Sequence, residues 1–159
     1  MVEMARFFMN FTQNESCGKC IPCREGTRRM LEILNDIVEG KGTLDDIDTL
    51  EELAETISDT ALCGLGKSAA FPVRSTLRYF RDEYIEHVVD KKCSGGVCKS
   101  LISYEIDKEK CRGCSKCAKG CPVEAITGEI KKPYVIDKSK CIKCGNCIEG
   151  CVFKAIRVI

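Results

Sequence analysis

Residues 111–122 read Cys111-Arg-Gly-Cys114-Ser-Lys-Cys117-Ala-Lys-Gly-Cys121-Pro122, and 141–152 repeat the spacing as Cys141-Ile-Lys-Cys144-Gly-Asn-Cys147-Ile-Glu-Gly-Cys151-Val152. The same 30-residue offset aligns residues 106–108 with 136–138, and 125–126 with 155–156. Each half is typical of a short strand, a cysteine loop, one helical turn and another short strand. Because a duplicated unit of this length buries little apolar surface, something held by the cysteines must stabilise it.

The cysteine spacing indicates what the loops hold. It is the bacterial ferredoxin run for a [4Fe-4S] cluster, in which three closely spaced thiolates wrap three corners of the cube. In two-cluster ferredoxins the fourth cysteine of each run serves the other cluster. The predicted ligand sets are therefore Cys111, Cys114, Cys117 and Cys151 for one cluster, and Cys141, Cys144, Cys147 and Cys121 for the other. A structural zinc domain is the alternative, but zinc usually takes paired Cys-x2-Cys knuckles. Residues 101–159 resemble the two-[4Fe-4S] bacterial-type ferredoxin family, which implies a βαββαβ fold.

Composition separates this part from the rest of the chain. Of 159 residues, 14 are cysteines. Residues 1–90 carry 10 basic and 17 acidic side chains, whereas residues 91–159 carry 15 basic and 7 acidic ones. This asymmetry favours two modules, and we predict an α+β protein of two domains. No apolar run is long enough for a membrane span, and no secretory signal is recognisable, so we expect a cytoplasmic protein. In that reducing setting the cysteines are metal ligands rather than disulfides.

The first module, residues 1–90, is predicted to be a helical bundle. Met1–Phe11 alternates loosely, as a strand and its exit would. Such an apolar beginning is an expected feature of the C-terminal part of a larger protein, with a self-contained start as the alternative. Ser16 is the expected N-cap of a helix that ends at Gly40 and Gly42, and Thr43 with Asp46 resembles a capping box. Pro72 suits the first turn of a third long helix. The predicted core stripes are Met30, Leu31, Leu34, Ile37 and Val38; Leu44, Ile47, Leu50, Leu53, Ala54 and Ile57; and Val73, Leu77, Phe80, Tyr84 and Val88.

A third cluster site is predicted inside this helical module. Cys17, Cys20 and Cys23 have the same three-corner spacing, and we expect them to open a helix whose N–H groups and dipole stabilise an anionic cluster. Cys63 is the distant fourth ligand, since it is the only other cysteine of the module. Lys19 and Arg24 are candidate tuning charges beside this cluster, with ordinary solvated charges as the alternative.

Residues 15–26 (Glu-Ser-Cys-Gly-Lys-Cys-Ile-Pro-Cys-Arg-Glu-Gly) resemble the C-terminal cluster region of the NADH-binding flavoprotein subunit of respiratory complex I. The family's fourth ligand lies in a Cys-Gly-Leu-Gly loop, which 63–66 match. Adding the ferredoxin module, the chain resembles the flavoprotein (beta) subunit of electron-bifurcating or NAD(P)-linked [FeFe]-hydrogenases.

The resemblance implies an electron relay through three [4Fe-4S] clusters in a soluble hydrogenase, without catalytic residues of its own. FMN and NAD(H) would bind in an N-terminal part absent from this chain, which has no Gly-rich dinucleotide or flavin loop. The implied partners are a hydrogenase catalytic subunit, a [2Fe-2S] thioredoxin-like subunit and the flavin/NAD domain, with no nucleic acid and no membrane. The alternatives are the corresponding module of an NAD-dependent formate dehydrogenase, and an iron–sulfur nucleic-acid-binding protein. The second is prompted by the basic C-terminal half, but the sequence lacks interleaved stacking aromatics.

Two cysteines are left over by the three clusters. Cys93 and Cys98 lie in residues 91–100, a Gly-Gly-containing segment expected to be a hinge between the modules. The only histidine, His87, precedes them. We hypothesise a zinc site with His87, Cys93 and Cys98 as ligands and a fourth ligand from a partner chain, water or another residue. Two free surface thiols and an exposed histidine are the alternative.

Overall fold

Helices form the first of two units, Met1–Leu101 and Ile102–Ile159, into which the chain divides in a computed structural model that describes residues 1–159. Its helices are α1 (Val2–Glu15), α2 (Ile21–Val38), α3 (Leu44–Thr60), the short α4 (Gly64–Ser68) and α5 (Phe71–Ile85). A π-helical turn, Glu86–Asp90, continues α5, and a 3₁₀ turn, Lys99–Leu101, ends the unit. No helix combines the length and the apolar character that a membrane crossing requires.

The N-terminal segment is a helix, so the strand expected at Met1–Phe11 is wrong. Val2, Ala5, Met9 and Thr12 are buried on one face of α1, and they recur at intervals of three and four residues. This helical period is carried by non-aromatic residues, whereas the phenylalanines that suggested a strand lie on the exposed face. Phe7 and Phe8 pack edge to face there, with ring centroids 5.6 Å apart.

Ser16 does not begin a helix, which corrects a second expectation. It is the C-cap of α1, and α2 begins five residues later with Cys20 as its N-cap (φ −84°, ψ 124°) and a proline in its first turn. Cys17 and Cys20 therefore precede the helix, and Cys23 alone lies in its first turn. The reason is that α1 continues to Glu15, so the chain needs residues 16–20 to turn into α2.

The bundle core is formed by α1, α2, α3 and α5, with α2 between α1 and α3. Most of the predicted stripe residues of α2 and α3 are buried, but Leu31 and Leu53 are half-buried and Leu44 is 54% exposed. Ile33, which the prediction omitted, is fully packed. The predicted capping box begins α3, because Asp46 Oδ2 accepts the N–H and the hydroxyl of Thr43 at 2.8 Å each.

Helix α5 begins as predicted, with Pro72 in its first turn, but it is kinked at Phe80. Phe80 has non-helical dihedrals (φ −136°, ψ 34°), and its side chain is exposed rather than buried. The kink changes the phase of the apolar stripe, so Tyr84 and Val88 remain in the core while Phe80 leaves it. Tyr84 is fully buried, and its hydroxyl lies 2.8 Å from that of Thr76.

The second unit has the element order β1 (Tyr104–Ile106), α6 (Lys116–Lys119), β2 (Ile126–Thr127), β3 (Val135–Ile136), α7 (Asn146–Gly150) and β4 (Ile156–Val158). β1 pairs antiparallel with β4, with Ile106 opposite Ile156, and β2 pairs antiparallel with β3, with Ile126 opposite Ile136. The two halves are joined reciprocally: Asp107 N–H donates to Ala155 O and Asp137 N–H to Ala125 O, at 2.7 Å each. Because the strands contain two or three residues, their ladders contribute few hydrogen bonds and cohesion must come from elsewhere.

Candidate iron–sulfur and metal sites

The second unit contains a small cavity of about 20 Å³ in which cysteines from both runs meet. Cys111, Cys114 and Cys117 of the first run line it together with Cys151 of the second run. The remainder of its wall is largely apolar and includes Ile106, Tyr134, Phe153, Ala155 and Ile156. Four thiols around an apolar-walled space are a donor set suited to a [4Fe-4S] cluster.

A second small cavity, of about 10 Å³, is the counterpart of the first under the 30-residue offset. Its thiols come from Cys141, Cys144 and Cys147 of the second run and from Cys121 of the first. Tyr104 lines this cavity as Tyr134 lines the other. Neither tyrosine is among the predicted site residues, although the offset that relates the cysteines also relates the tyrosines.

Backbone N–H groups point at the two exchanged cysteines. Ala125 N–H donates to Cys121 Sγ at 3.3 Å, and Ala155 N–H donates to Cys151 Sγ at 3.4 Å. Such bonds stabilise a thiolate, and they influence the reduction potential of a cluster that the thiolate binds.

The ionisation of the clustered thiols in the second unit requires a bound cation. Burial raises the pKa of Cys117, and the neighbouring Cys111 and Cys114 thiolates raise it further, against the lowering effect of an N–H bond from Ala118. Burial likewise raises the pKa of Cys147, again with help from the thiolates of its own run. Clustered thiolates repel one another in a poorly solvated space, so their ionisation requires cationic charge among them.

In the first unit the predicted cysteines come from three separate elements. Cys17 lies in the loop after α1, Cys20 and Cys23 lie at the start of α2, and Cys63 is the N-cap of α4. Helix α4, which follows Cys63, packs close to Cys23, because a Cβ built on Gly66 would lie 3.6 Å from the Cβ of Cys23. The start of α2 and the Cys-Gly-Leu-Gly segment are thus neighbours in the bundle.

Hydrogen bonds organise the loop between α1 and α2. The Ser16 hydroxyl lies 3.3 Å from Cys23 Sγ and accepts a bond from Gly18 N–H at 3.3 Å. Arg24 Nη1 donates to Gly18 O at 2.9 Å, and Arg24 also pairs with Glu25. Ser16 is therefore a neighbour of a candidate ligand, a role hidden by its misassignment as a helix N-cap. Lys19 is exposed.

His87, Cys93 and Cys98 come together in the first unit, with their ligand atoms all within 4.8 Å of one another. The three residues are only 2%, 6% and 4% exposed, so surface thiols and an exposed histidine do not describe them. His87 Nδ1 lies 2.6 Å from Glu83 O, which fixes the proton on Nδ1 and leaves Nε2, 3.4 Å from Cys98 Sγ, as the ligating nitrogen. The segment 91–100, expected to be a hinge, belongs to this unit.

The two thiols of this trio have opposite ionisation tendencies. Burial raises the pKa of Cys98 to about 12, and the neighbouring Cys93 adds to that effect. Burial also acts to raise the pKa of Cys93, but N–H groups of Cys98, Val97 and Gly96 donate to it and lower the pKa overall. A turn that directs several N–H groups at one sulfur favours a thiolate there, the form in which cysteine ligates metals.

Two family models match the chain, one in each unit. A family model described as "NADH-ubiquinone oxidoreductase-F iron-sulfur binding region" matches residues 3–87, and one described as "4Fe-4S dicluster domain" matches residues 103–152. The chain is 52% identical over 134 residues to the NADP-reducing hydrogenase subunit HndC of Solidesulfovibrio fructosivorans, covering 84% of this chain and 27% of that protein. It is 47% identical over 90 residues to an NADH-quinone oxidoreductase subunit of Streptomyces coelicolor, covering 57% of this chain and 20% of that protein.

Among solved structures, the chain is similar to a crystal structure of the NAD⁺-reducing [NiFe]-hydrogenase in its H₂-reduced state. The TM-score is 0.53 at 33% identity, and the match covers 55% of this chain and 15% of that one. The chain therefore spans about a quarter or less of the length of these relatives.

Proposed function

The chain belongs to the family defined by the NADH-ubiquinone oxidoreductase-F iron-sulfur binding region, and from this premise we propose that it relays single electrons in a soluble NAD(P)-linked hydrogenase. It would connect a flavin/NAD(H) site with partner redox subunits. Iron–sulfur clusters supply reversible one-electron chemistry when bound, and the residues of this chain hold and tune them. No general base or nucleophile of this chain takes part.

Three [4Fe-4S] clusters are assigned to twelve of the fourteen cysteines. The helical domain, residues 1–90, holds one, and the ferredoxin domain, residues 101–159, holds two. The ligand sets are Cys17, Cys20, Cys23 and Cys63; Cys111, Cys114, Cys117 and Cys151; and Cys141, Cys144, Cys147 and Cys121. The observation that carries the proposal is the exchange of fourth thiols: each cavity of the second unit combines three thiols of one run with one of the other. Three thiols alone would leave one iron of each cube without a protein ligand.

We assign the remaining two cysteines, with His87, to a zinc site. Support comes from the buried position of Cys93 and Cys98, from the short distances among the three ligand atoms and from the oriented imidazole of His87. Zinc takes four ligands in tetrahedral sites, so water or a residue of a partner chain completes the set. The site would anchor residues 91–100, between the helical and ferredoxin domains, to the end of α5.

FMN and NAD(H) are assigned to a part of the longer protein that this chain does not include, since the chain covers only about a quarter of the hydrogenase subunit that it resembles. Partners would be a hydrogenase catalytic subunit and a [2Fe-2S] thioredoxin-like subunit, in the cytoplasm. The hydrogenase relative supports this choice because its similarity covers 84% of the chain, whereas the match to the quinone oxidoreductase relative covers 57%.

Metal analysis of the anaerobically reconstituted chain tests these assignments. We expect about 12 iron and 12 sulfide per chain, and about one zinc. Cys63→Ser should lose iron and the EPR signal of one cluster only. Cys93→Ser/Cys98→Ser should lose zinc and keep all iron, which makes it the matched control. Iron near 8 in the wild type would refute the site in the helical domain, and zinc absent from both the chain and its native complex would refute the zinc site.

Electron relay itself is tested in the full-length protein. Addition of NADH under anaerobic conditions should reduce the clusters, as followed by EPR and by loss of visible absorbance. Cys63→Ser should slow this reduction in the ferredoxin domain, whereas Cys93→Ser/Cys98→Ser should leave its iron content intact. Clusters that accept electrons from dithionite but not from NADH in the full-length protein would refute the relay.

A further inference from the structure

The two cavities of the ferredoxin unit are built alike but carry different charge. Arg112 and Lys116 line the cavity of Cys111, Cys114 and Cys117. In the other cavity the equivalent wall positions, 30 residues later, are occupied by Ile142 and Asn146. Two cations in one wall thus correspond to two neutral side chains in the other.

The charge difference extends over the whole of each run. The segment 111–121 contains three cations, Arg112, Lys116 and Lys119, and no acidic residue. The segment 141–151 contains Lys143 and Glu149, which balance each other. Since the rest of the cavity walls is largely apolar in both halves, charge is the main chemical difference between them.

Positive charge near a cluster favours its reduced form. A [4Fe-4S] cluster with four thiolates carries about −2 when oxidised and becomes more negative on reduction, so a nearby cation stabilises the reduced state more than the oxidised one. The duplicated backbone gives both sites the same exchanged ligation and the same N–H bond to the exchanged sulfur. With the ligation and these N–H bonds alike, the cations in one wall are the difference in charge that can order the two potentials.

We propose that Arg112 and Lys116 set the cluster site of Cys111, Cys114, Cys117 and Cys151 at a higher reduction potential than its partner site, so that an electron shared by the ferredoxin unit resides at the Cys111 end. An electron lost at the Cys141 end is gained at the Cys111 end, and no other reactant is consumed. This inference rests on the proposed presence of both clusters. Arg112 and Lys116 would then determine at which of the two clusters the electron resides.

The repeat supplies matched variants, because each substitution installs the residue that the other half already accommodates. Arg112→Ile/Lys116→Asn is expected to lower the higher of the two ferredoxin potentials. The reciprocal Ile142→Arg/Asn146→Lys is expected to raise the lower one. We expect each shift to correspond to roughly a tenfold change in the ratio of reduced to oxidised cluster, or about 59 mV for one electron. Lys108→Ala, which removes a cation that lines neither cavity, is the control and should give a smaller shift.

The measurement is an anaerobic potentiometric titration of the full chain followed by EPR. The helical-domain cluster is the internal reference, because neither variant is expected to change its reduction potential. Unchanged ferredoxin potentials in both double variants, or a fall of the lower potential in Arg112→Ile/Lys116→Asn, would overturn the proposed order. Should one double variant lose iron, the reciprocal one decides. A wild-type chain without two ferredoxin clusters would instead refute the proposed function, so the two failures are distinguishable.

Discussion

Gly113, in the first cysteine loop, is expected to tolerate no side chain. It is buried, its φ is +64°, and its carbonyl accepts a hydrogen bond from Lys131 N–H at 3.0 Å. A Cβ built on it would lie 2.5 Å from Lys132 N and 2.6 Å from Lys132 O. These are backbone atoms of the β2–β3 loop, so no flexible side chain can move aside.

The cost of Gly113→Ala has two parts. The left-handed backbone costs an alanine about 1–2 kcal/mol, and overpacking against the loop backbone adds about 1–3 kcal/mol. Together they predict a loss of about 2–5 kcal/mol in the second unit, a large part of the stability of a small domain. Under anaerobic urea titration, the midpoint for bleaching of the visible absorbance should fall by about 1 M or more.

Two variants separate these contributions. Lys143 occupies the equivalent position of the second loop with φ +56°, so Lys143→Ala adds no backbone strain and should cost clearly less than Gly113→Ala. Gly150→Ala adds a Cβ where nothing lies within 4 Å and should be neutral or slightly stabilising. A Gly113→Ala chain with the wild-type midpoint and full iron content would refute the reasoning, as would equal losses in all three variants.

Three further predictions concern the rest of the chain. Burial raises the pKa of Tyr84 to about 12, whereas tyrosine in the unfolded chain ionises near pH 10. The stabilisation that the neutral, buried Tyr84 gives the folded state is therefore complete below pH 10. Up to about 2.7 kcal/mol of it is lost between pH 10 and 12. Tyr84→Phe should lack this part of the pH dependence in urea titrations, and an unchanged slope would contradict the assignment. Asp46→Ala should lower the free energy of unfolding by about 0.5–2 kcal/mol, because it removes the capping bonds to Thr43. Asp45→Ala removes a carboxylate outside the capping box and should lower it by less. Equal losses of stability in the two variants would argue against the cap. Oxidative bleaching should unfold the ferredoxin unit while the helical unit keeps its far-UV circular dichroism, because the helices have an apolar core of their own. Loss of the helical circular dichroism together with the visible absorbance of the clusters would show that the helices depend on the clusters.

The sequence alone determined the features that depend on local spacing. The two cysteine runs, the 30-residue repeat and the capping box at Thr43 are local patterns, and each predicted its local structure. The family resemblance was also readable, because residues 15–26 and 63–66 form short contiguous motifs. The strand predicted at Met1–Phe11 was wrong because a strand-like alternation competed with a helical period. The phenylalanines of α1 suggested the alternation, but the buried face is formed by Val2, Ala5 and Met9.

Tertiary structure decided which of the hypothesised meetings of distant residues occur. Neither burial nor separation in space follows from spacing along the chain, because both depend on how the elements pack. The gathering of His87, Cys93 and Cys98, and the oriented imidazole, required the π-helical turn after α5 to pack against the Cys93–Cys98 turn. Along the sequence, Arg112 and Lys116 are only two of many cations. Their place in the wall of one cavity, where the other has neutral residues, became visible only when the duplicated chain folded around two equivalent sites.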